Sequence, residues 1–174
     1  MKKLVLLSFL LTLIHNINAQ DKTRLYDIIE AVSENRIEKD INTLANFGTR
    51  NTFSDTISNT RGIGAARRWI KNEFDTISKQ CNNCLEVFYQ KDFVTKEQYK
   101  RIPHDAWVVN VVAIQKGTKY PNRYVIMSGD IDSRASNTMD FTTNAPGAND
   151  NASGMAGTIE AARVLSNYTF ESSI

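Results

Sequence analysis

The stretch that most constrains this chain runs from Tyr124 to Gly154, YVIMSGDIDSRASNTMDFTTNAPGANDNASG. An apolar run ends at Gly129, a polar loop punctuated by Pro146 and Gly147 follows, and a helical pattern then begins. An apolar strand without polar alternation is one buried on both faces, which places it in a sheet with helices above and below. The expected fold class is therefore α/β, the start of a mixed sheet with helices on both faces.

The rest of the chain agrees with that class. TRLYDIIEAVS has the spacing of a short amphipathic helix, and RIEKDINTLANFG puts Ile37, Ile41, Leu44 and Phe47 on one face with Gly48 as a stop. RGIGAARRWIKNEFDTIS repeats the pattern through Ile63, Ala66, Ile70, Phe74 and Ile77. LEVFYQKDFVT, WVVNVVAIQKG and RYVIMSG are rich in β-branched and aromatic residues and predict strands. ASGMAGTIEAARVLS predicts a helix through Met155, Ile159, Ala162 and Leu165. Trp69 and Trp107 are expected in the core.

Residues 1–19 read as a secretory signal peptide: Lys2 and Lys3 precede the apolar run LVLLSFLLTLI, and a short polar segment ends at Ala19. That run is too short to span a bilayer, which takes about 20 residues, and no cysteine follows the cleavage point to carry a lipid. The mature protein is expected to be exported, periplasmic or secreted, with no stable membrane anchor. Residues 20–60 form a helical lead-in and residues 61–174 a further domain. Removing the signal takes two of 21 basic residues and none of the 19 acidic ones, which leaves a mature charge of zero and no electrostatic case for a nucleic-acid partner.

The cysteines are Cys81 and Cys84, in CNNC. An exported chain favours a short-loop disulfide between them. A zinc knuckle would need a second Cys or His pair, and a thioredoxin-type motif would open a helix after a strand, whereas CNNC follows a helical pattern and precedes a strand.

Two acidic clusters bear on function. GDID falls at the carboxyl end of the apolar run and GANDN just before the last helix, the region where open α/β sheets bind ligands. Carboxylates are hard oxygen donors suited to divalent cations, and one carboxylate can bridge two. Each Asp taken alone also suits a turn or a helix N-cap.

FGTRNT, GIGAARRWI, NVVAI, MSGDIDSR and APGANDNASGMAGTIEAARVL together resemble the co-catalytic zinc peptidases of metallopeptidase family twenty-eight, which includes bacterial leucyl aminopeptidase, aminopeptidase Y and glutamate carboxypeptidase. The likeness runs from about Phe47 to Leu165 and implies a zinc exopeptidase-like fold, two divalent metal ions and a peptide substrate. In that family a strand ends in His-x-Asp, the His binding one metal, and a later Asp bridges both. By position, Asp132 matches the supporting Asp and Asp150 the bridging ligand. The resemblance further implies a cis peptide bond between Asp150 and Asn151, and no ligand role for Asn149.

Asp130 departs from the pattern by standing in place of the metal-binding His. A shorter, anionic ligand lowers the Lewis acidity of the ion and favours Mn²⁺ beside Zn²⁺. It also sets Asp130 against Asp132, a repulsion that a shared proton, a water or Arg134 would relieve. Asp130 is expected to ligate metal, with loss of one metal site as the alternative. A second departure is larger, since the family's general-base Glu and remaining ligands follow the bridging Asp by more than the chain extends. The expectation is the amino-terminal part of a longer aminopeptidase-like hydrolase, catalytically incomplete by itself.

Two other functions stay open. One is a non-catalytic exported module of the same fold that binds peptide or metal. The other is a Mg²⁺-dependent phosphotransferase with Asp130 as nucleophile, because Asp130-Ile131-Asp132-Ser133 resembles an Asp-x-Asp-x-Thr motif. His104, in RIPHDAW, is expected to be solvated and without a role, and the sequons at Asn151 and Asn167 are short patterns that arise by chance.

Overall fold

A computed structural model of the protein describes residues 24–97 and 102–174. The expected signal peptide, residues 1–19, lies outside the described residues. The chain forms two compact units that divide after Ser33. In the first unit residues 24–30 are helical, as expected, and form α1.

In the second unit, α2 (Glu34–Ala45) and α3 (Gly62–Gln80) precede an antiparallel pair, β1 (Leu85–Val94) and β2 (Ala106–Gln115). Then come β3 (Tyr120–Tyr124), α4 (Ser153–Leu165) and the short β4 (Ser172–Ser173), which runs parallel to β3. Parallel neighbours need a crossover connection, and α4 supplies it, so β3, α4 and β4 make one βαβ unit of the expected mixed α/β kind. Backbone bonds between Gln115 and Ile174 join the end of β2 to the residue after β4.

The core forms where the helical faces meet β1. Leu44 of α2, Ile70, Phe74 and Ile77 of α3, Leu85 of β1 and Met155 and Ile159 of α4 are buried together, with Val87, Val111 and Ala113 packed against them. Those strand positions all lie on one face of the β1–β2 pair, and Glu86, Phe88 and Gln90 on the other are exposed. In α4 Val164, one position before the expected Leu165, is the buried residue. α3 stops because Asn82 and Asn83 take left-handed backbone angles, φ 59° and 61°, which short polar side chains tolerate. The Cys81–Cys84 disulfide, Cα atoms 5.4 Å apart, spans this turn into β1.

Charged residues also tie the helices. Arg163 of α4 reaches Asp40 of α2 and Glu73 of α3, each at 2.6 Å, and Arg36 of α2 pairs with Glu160 of α4. Asp40 and Glu160 are almost wholly buried, so removing a partner would strand a charge. Burial pushes the Arg163 guanidinium down, but its hydrogen bonds to Asp40 and Glu73 outweigh that and leave it above its ordinary value.

Two expectations are corrected. The apolar run Val125–Met127 is not strand: β3 ends at Tyr124, and Val125, Ile126 and Met127 are 59%, 84% and 48% exposed. Pairing stops because β4 is two residues long, and the bond from Val125 N–H to Ser173 O is its last rung. Trp107 is not core either. It is 54% exposed, its ring 5.1 Å from that of its cross-strand partner Phe93, while Trp69 packs on the core edge.

Ile159 is fully buried where α2, α3 and α4 meet. Ile159→Ala is expected to lower unfolding free energy by about 2–5 kcal/mol in chemical denaturation. A loss under about 1 kcal/mol would mean that this junction is not the packed centre.

Candidate metal centre

The two acidic loops are fastened to each other by a side chain that carries no acid. Arg50 is fully buried just beyond α2. Its Nε donates to Ile131 O at 2.9 Å, Nη1 to Leu44 O at 2.8 Å and to Pro146 O at 2.6 Å, and Nη2 to Gly147 O at 3.0 Å. One planar guanidinium thus holds the loop after β3, the loop before α4 and the end of α2. Its backbone N–H donates to Ser133 Oγ, and that hydroxyl donates to Ala145 O at 2.6 Å. A backbone bond from Ala145 N–H to Gly48 O closes the arrangement.

Close approach dictates the residue types. Gly147 has φ +50°, and a Cβ there would stand 2.5 Å from Asp150 O and 2.6 Å from Ser133 Cβ. A Cβ on Gly129 would meet the backbone of Gly154 and Met155 within 2.7 Å, so the chain entering Asp130 lies directly on the start of α4. Asn151 Oδ1 accepts the Gly154 N–H at 2.7 Å and caps that helix. The peptide bond between Asp150 and Asn151 is cis, as the resemblance implied.

On this scaffold Asp130, Asp132 and Asp150 are all exposed. Asp132 sits in the field of two buried arginines, Arg50 and Arg67. Burial pushes both guanidiniums below their ordinary value, and Asp132 raises each in part, after Tyr89 in the case of Arg67. Arg134, the cation expected beside the acids, is exposed. Sequence reasoning missed Arg50 as the organiser, although FGTRNT was among the resembling segments, because a lone Arg in a polar loop carries no periodic signal.

The donor chemistry of Asp130 and Asp150 suits a hard divalent cation: both carboxylates are exposed and form no ion pair among the described residues. The donor count falls short of a complete site. Among the described residues no three His, Cys, Asp or Glu side chains are gathered closely enough to hold a metal ion. Cys81 and Cys84 are consumed by their disulfide. His104 is exposed at the rim of a separate cavity, between the rings of Phe53 and Phe141.

The sequence model of peptidase family M28 matches residues 110–174, the segment that contains both acidic loops. A probable zinc metalloprotease of Pyrenophora teres f. teres (strain 0-1) is 39% identical over 151 residues, 87% of this chain and 31% of that protein. Another, of Leptosphaeria maculans, is 40% identical over 147 residues, 84% of this chain and 34% of that protein. The crystal structure of LapB from Legionella pneumophila superposes with a TM-score of 0.60 at 21% identity, over 87% of this chain and 36% of that one, and shares its fold. In sequence the chain is similar to proteins named as zinc metalloproteases. Its residues 110–174 match peptidase family M28, and the chain spans about a third of the length of these curated relatives.

Arg50→Met removes four hydrogen bonds from a charged donor. It is expected to cost about 3 kcal/mol or more, since each such bond contributes roughly 1.5–3 kcal/mol. Hydrogen exchange should quicken at the amides of Ala145 and Ala152. Unchanged exchange at both would show that the loops hold without the guanidinium.

Proposed function

We propose that the protein is an exported metallopeptidase that hydrolyses peptide bonds as an aminopeptidase, and that this chain contributes the Asp130 and Asp150 arm of a two-metal centre, with zinc as the metal and manganese accommodated by Asp130. The observation that carries the proposal is the match to the peptidase family over the one segment in which Arg50 fastens both acidic loops. The names of these relatives support zinc.

Such a centre supplies Lewis acidity and a metal-activated hydroxide at neutral pH. In this chain Asp150 would hold the ions from the end of the loop before α4, and Asp130 from the loop after β3. Asp132 would orient the arm from the field of Arg50 and Arg67. The remaining ligands and the general base are expected from the length of the relatives that this chain does not span.

The short donor count among the described residues favours a second reading, a binding module without turnover. The aspartyl-phosphate alternative is disfavoured: β3 ends at Tyr124, well before Asp130, whereas a nucleophile of that kind sits at the strand end.

The test is hydrolysis of leucine p-nitroanilide by the full natural protein. Turnover is expected, with loss on chelation and recovery with zinc. Asp132→Ala should lower kcat/KM by about 10–100-fold, as removal of an orienting carboxylate does, and Asp150→Asn by more. Wild-type rates in Asp150→Asn would contradict the assignment, and metal binding without hydrolysis would favour the binding module.

A further inference from the structure

A cavity of about 1190 Å³ opens between the loop that precedes α3 and the β1–β2 pair. Arg67 of α3 lines it. This residue is 7% exposed, and among the described residues its Nε has no hydrogen-bond partner. A buried guanidinium N–H left unbonded is costly, and native proteins satisfy nearly all such groups. Arg67 is also held below its ordinary value by burial, with Tyr89 and Asp132 offsetting only part, and makes no ion pair among the described residues. An anionic acceptor in the cavity would meet both deficits.

The rest of the lining narrows the ligand. Arg61 and Lys91 join Arg67 against Asp55 and Asp105, three cations to two acids, a balance that suits a single negative charge. Both acids are occupied within their own loops: Asp55 accepts the N–H groups of Ile57 and Ser58, and Asp105 that of Lys96. Arg61 donates to Thr142 O, and Lys91 is exposed with its ammonium over the Tyr89 ring, which leaves Arg67 as the buried cation with an open donor. Four of the lining residues are aromatic, with His104 edge-on to Phe53 and Phe141 at 5.6 and 5.7 Å, and Trp107 exposed.

We propose that this cavity is a binding site for a monocarboxylate attached to an aromatic or apolar group, with the carboxylate on the guanidinium of Arg67 and the apolar part against Phe53, Phe141 and Trp107. Planar guanidinium and carboxylate match in geometry, and mixed apolar walls with few convergent polar groups are what small-molecule sites present. The inference does not rest on the peptidase reading, because neither Asp130 nor Asp150 lines the cavity.

The test titrates the full natural protein with phenylacetate and with its neutral isostere phenylacetamide, both zinc-loaded and in excess chelator. Phenylacetate is expected to bind in both conditions and phenylacetamide about tenfold more weakly or worse, the factor lost with a hydrogen bond to a charged group. Arg67→Met should lose phenylacetate binding by a similar factor while keeping its circular dichroism, and Arg67→Lys should recover part of it. Trp107→Ala, at an exposed position, should weaken both probes. Equal affinity for the two probes, binding that survives Arg67→Met, or binding that disappears with chelator would each overturn the site. The last would move the carboxylate to a metal, leaving the peptidase reading intact.

Discussion

Burying an arginine without an acid beside it is unfavourable unless its donors are met, and in this molecule the donors of Arg50 are met by main-chain carbonyls of three separate segments. The end of α2, the loop after β3 and the loop before α4 all converge on one plane. Those two loops carry the candidate metal ligands, so the geometry of the acidic arm depends on a cation that touches none of its carboxylates. Ser133 extends the same clamp with a single hydroxyl that accepts from Arg50 N–H and donates to Ala145 O. Gly147 completes it by leaving room where any side chain would collide with Asp150 O.

The clamp works because the frame beneath it is rigid in the usual way. Ile70, Phe74 and Ile159 bring α3 and α4 into one apolar core with Leu44 of α2. The Arg163–Asp40, Arg163–Glu73 and Arg36–Glu160 pairs fix how those helices meet. α4 is shared: its first turn abuts Gly129 and its middle fills the core, so packing energy far from the acids sets where Asp150 lies ahead of the helix.

Much of this was legible because periodicity reports burial. The α3 face from Ile63 to Ile77 recurs at helical spacing and is buried, and the turn chemistry of CNNC is a disulfide as expected. What escaped was set by partners distant in sequence. Val125–Met127 looks like a buried strand, but a strand needs a neighbour as well as apolar side chains, and β4 offers only two residues. Trp107 looks like core by residue type, yet faces out beside Phe93. Asp40 and Glu160 look like solvent-facing charges on amphipathic helices and are buried because Arg163 and Arg36 reach them. The acids themselves stood out because Asp clusters after an apolar run and before a helix are a local pattern, and Arg50, their organiser, is not.

The most direct measurement is the zinc content of the full natural protein, purified without added metal, compared with that of an Asp130→Ala variant of unchanged fold. If the acidic arm is half of a two-metal centre in which Asp130 replaces the usual His, the wild type carries close to two ions per molecule and the variant measurably fewer. Equal metal content in both proteins, or a wild type that holds none, would contradict the account.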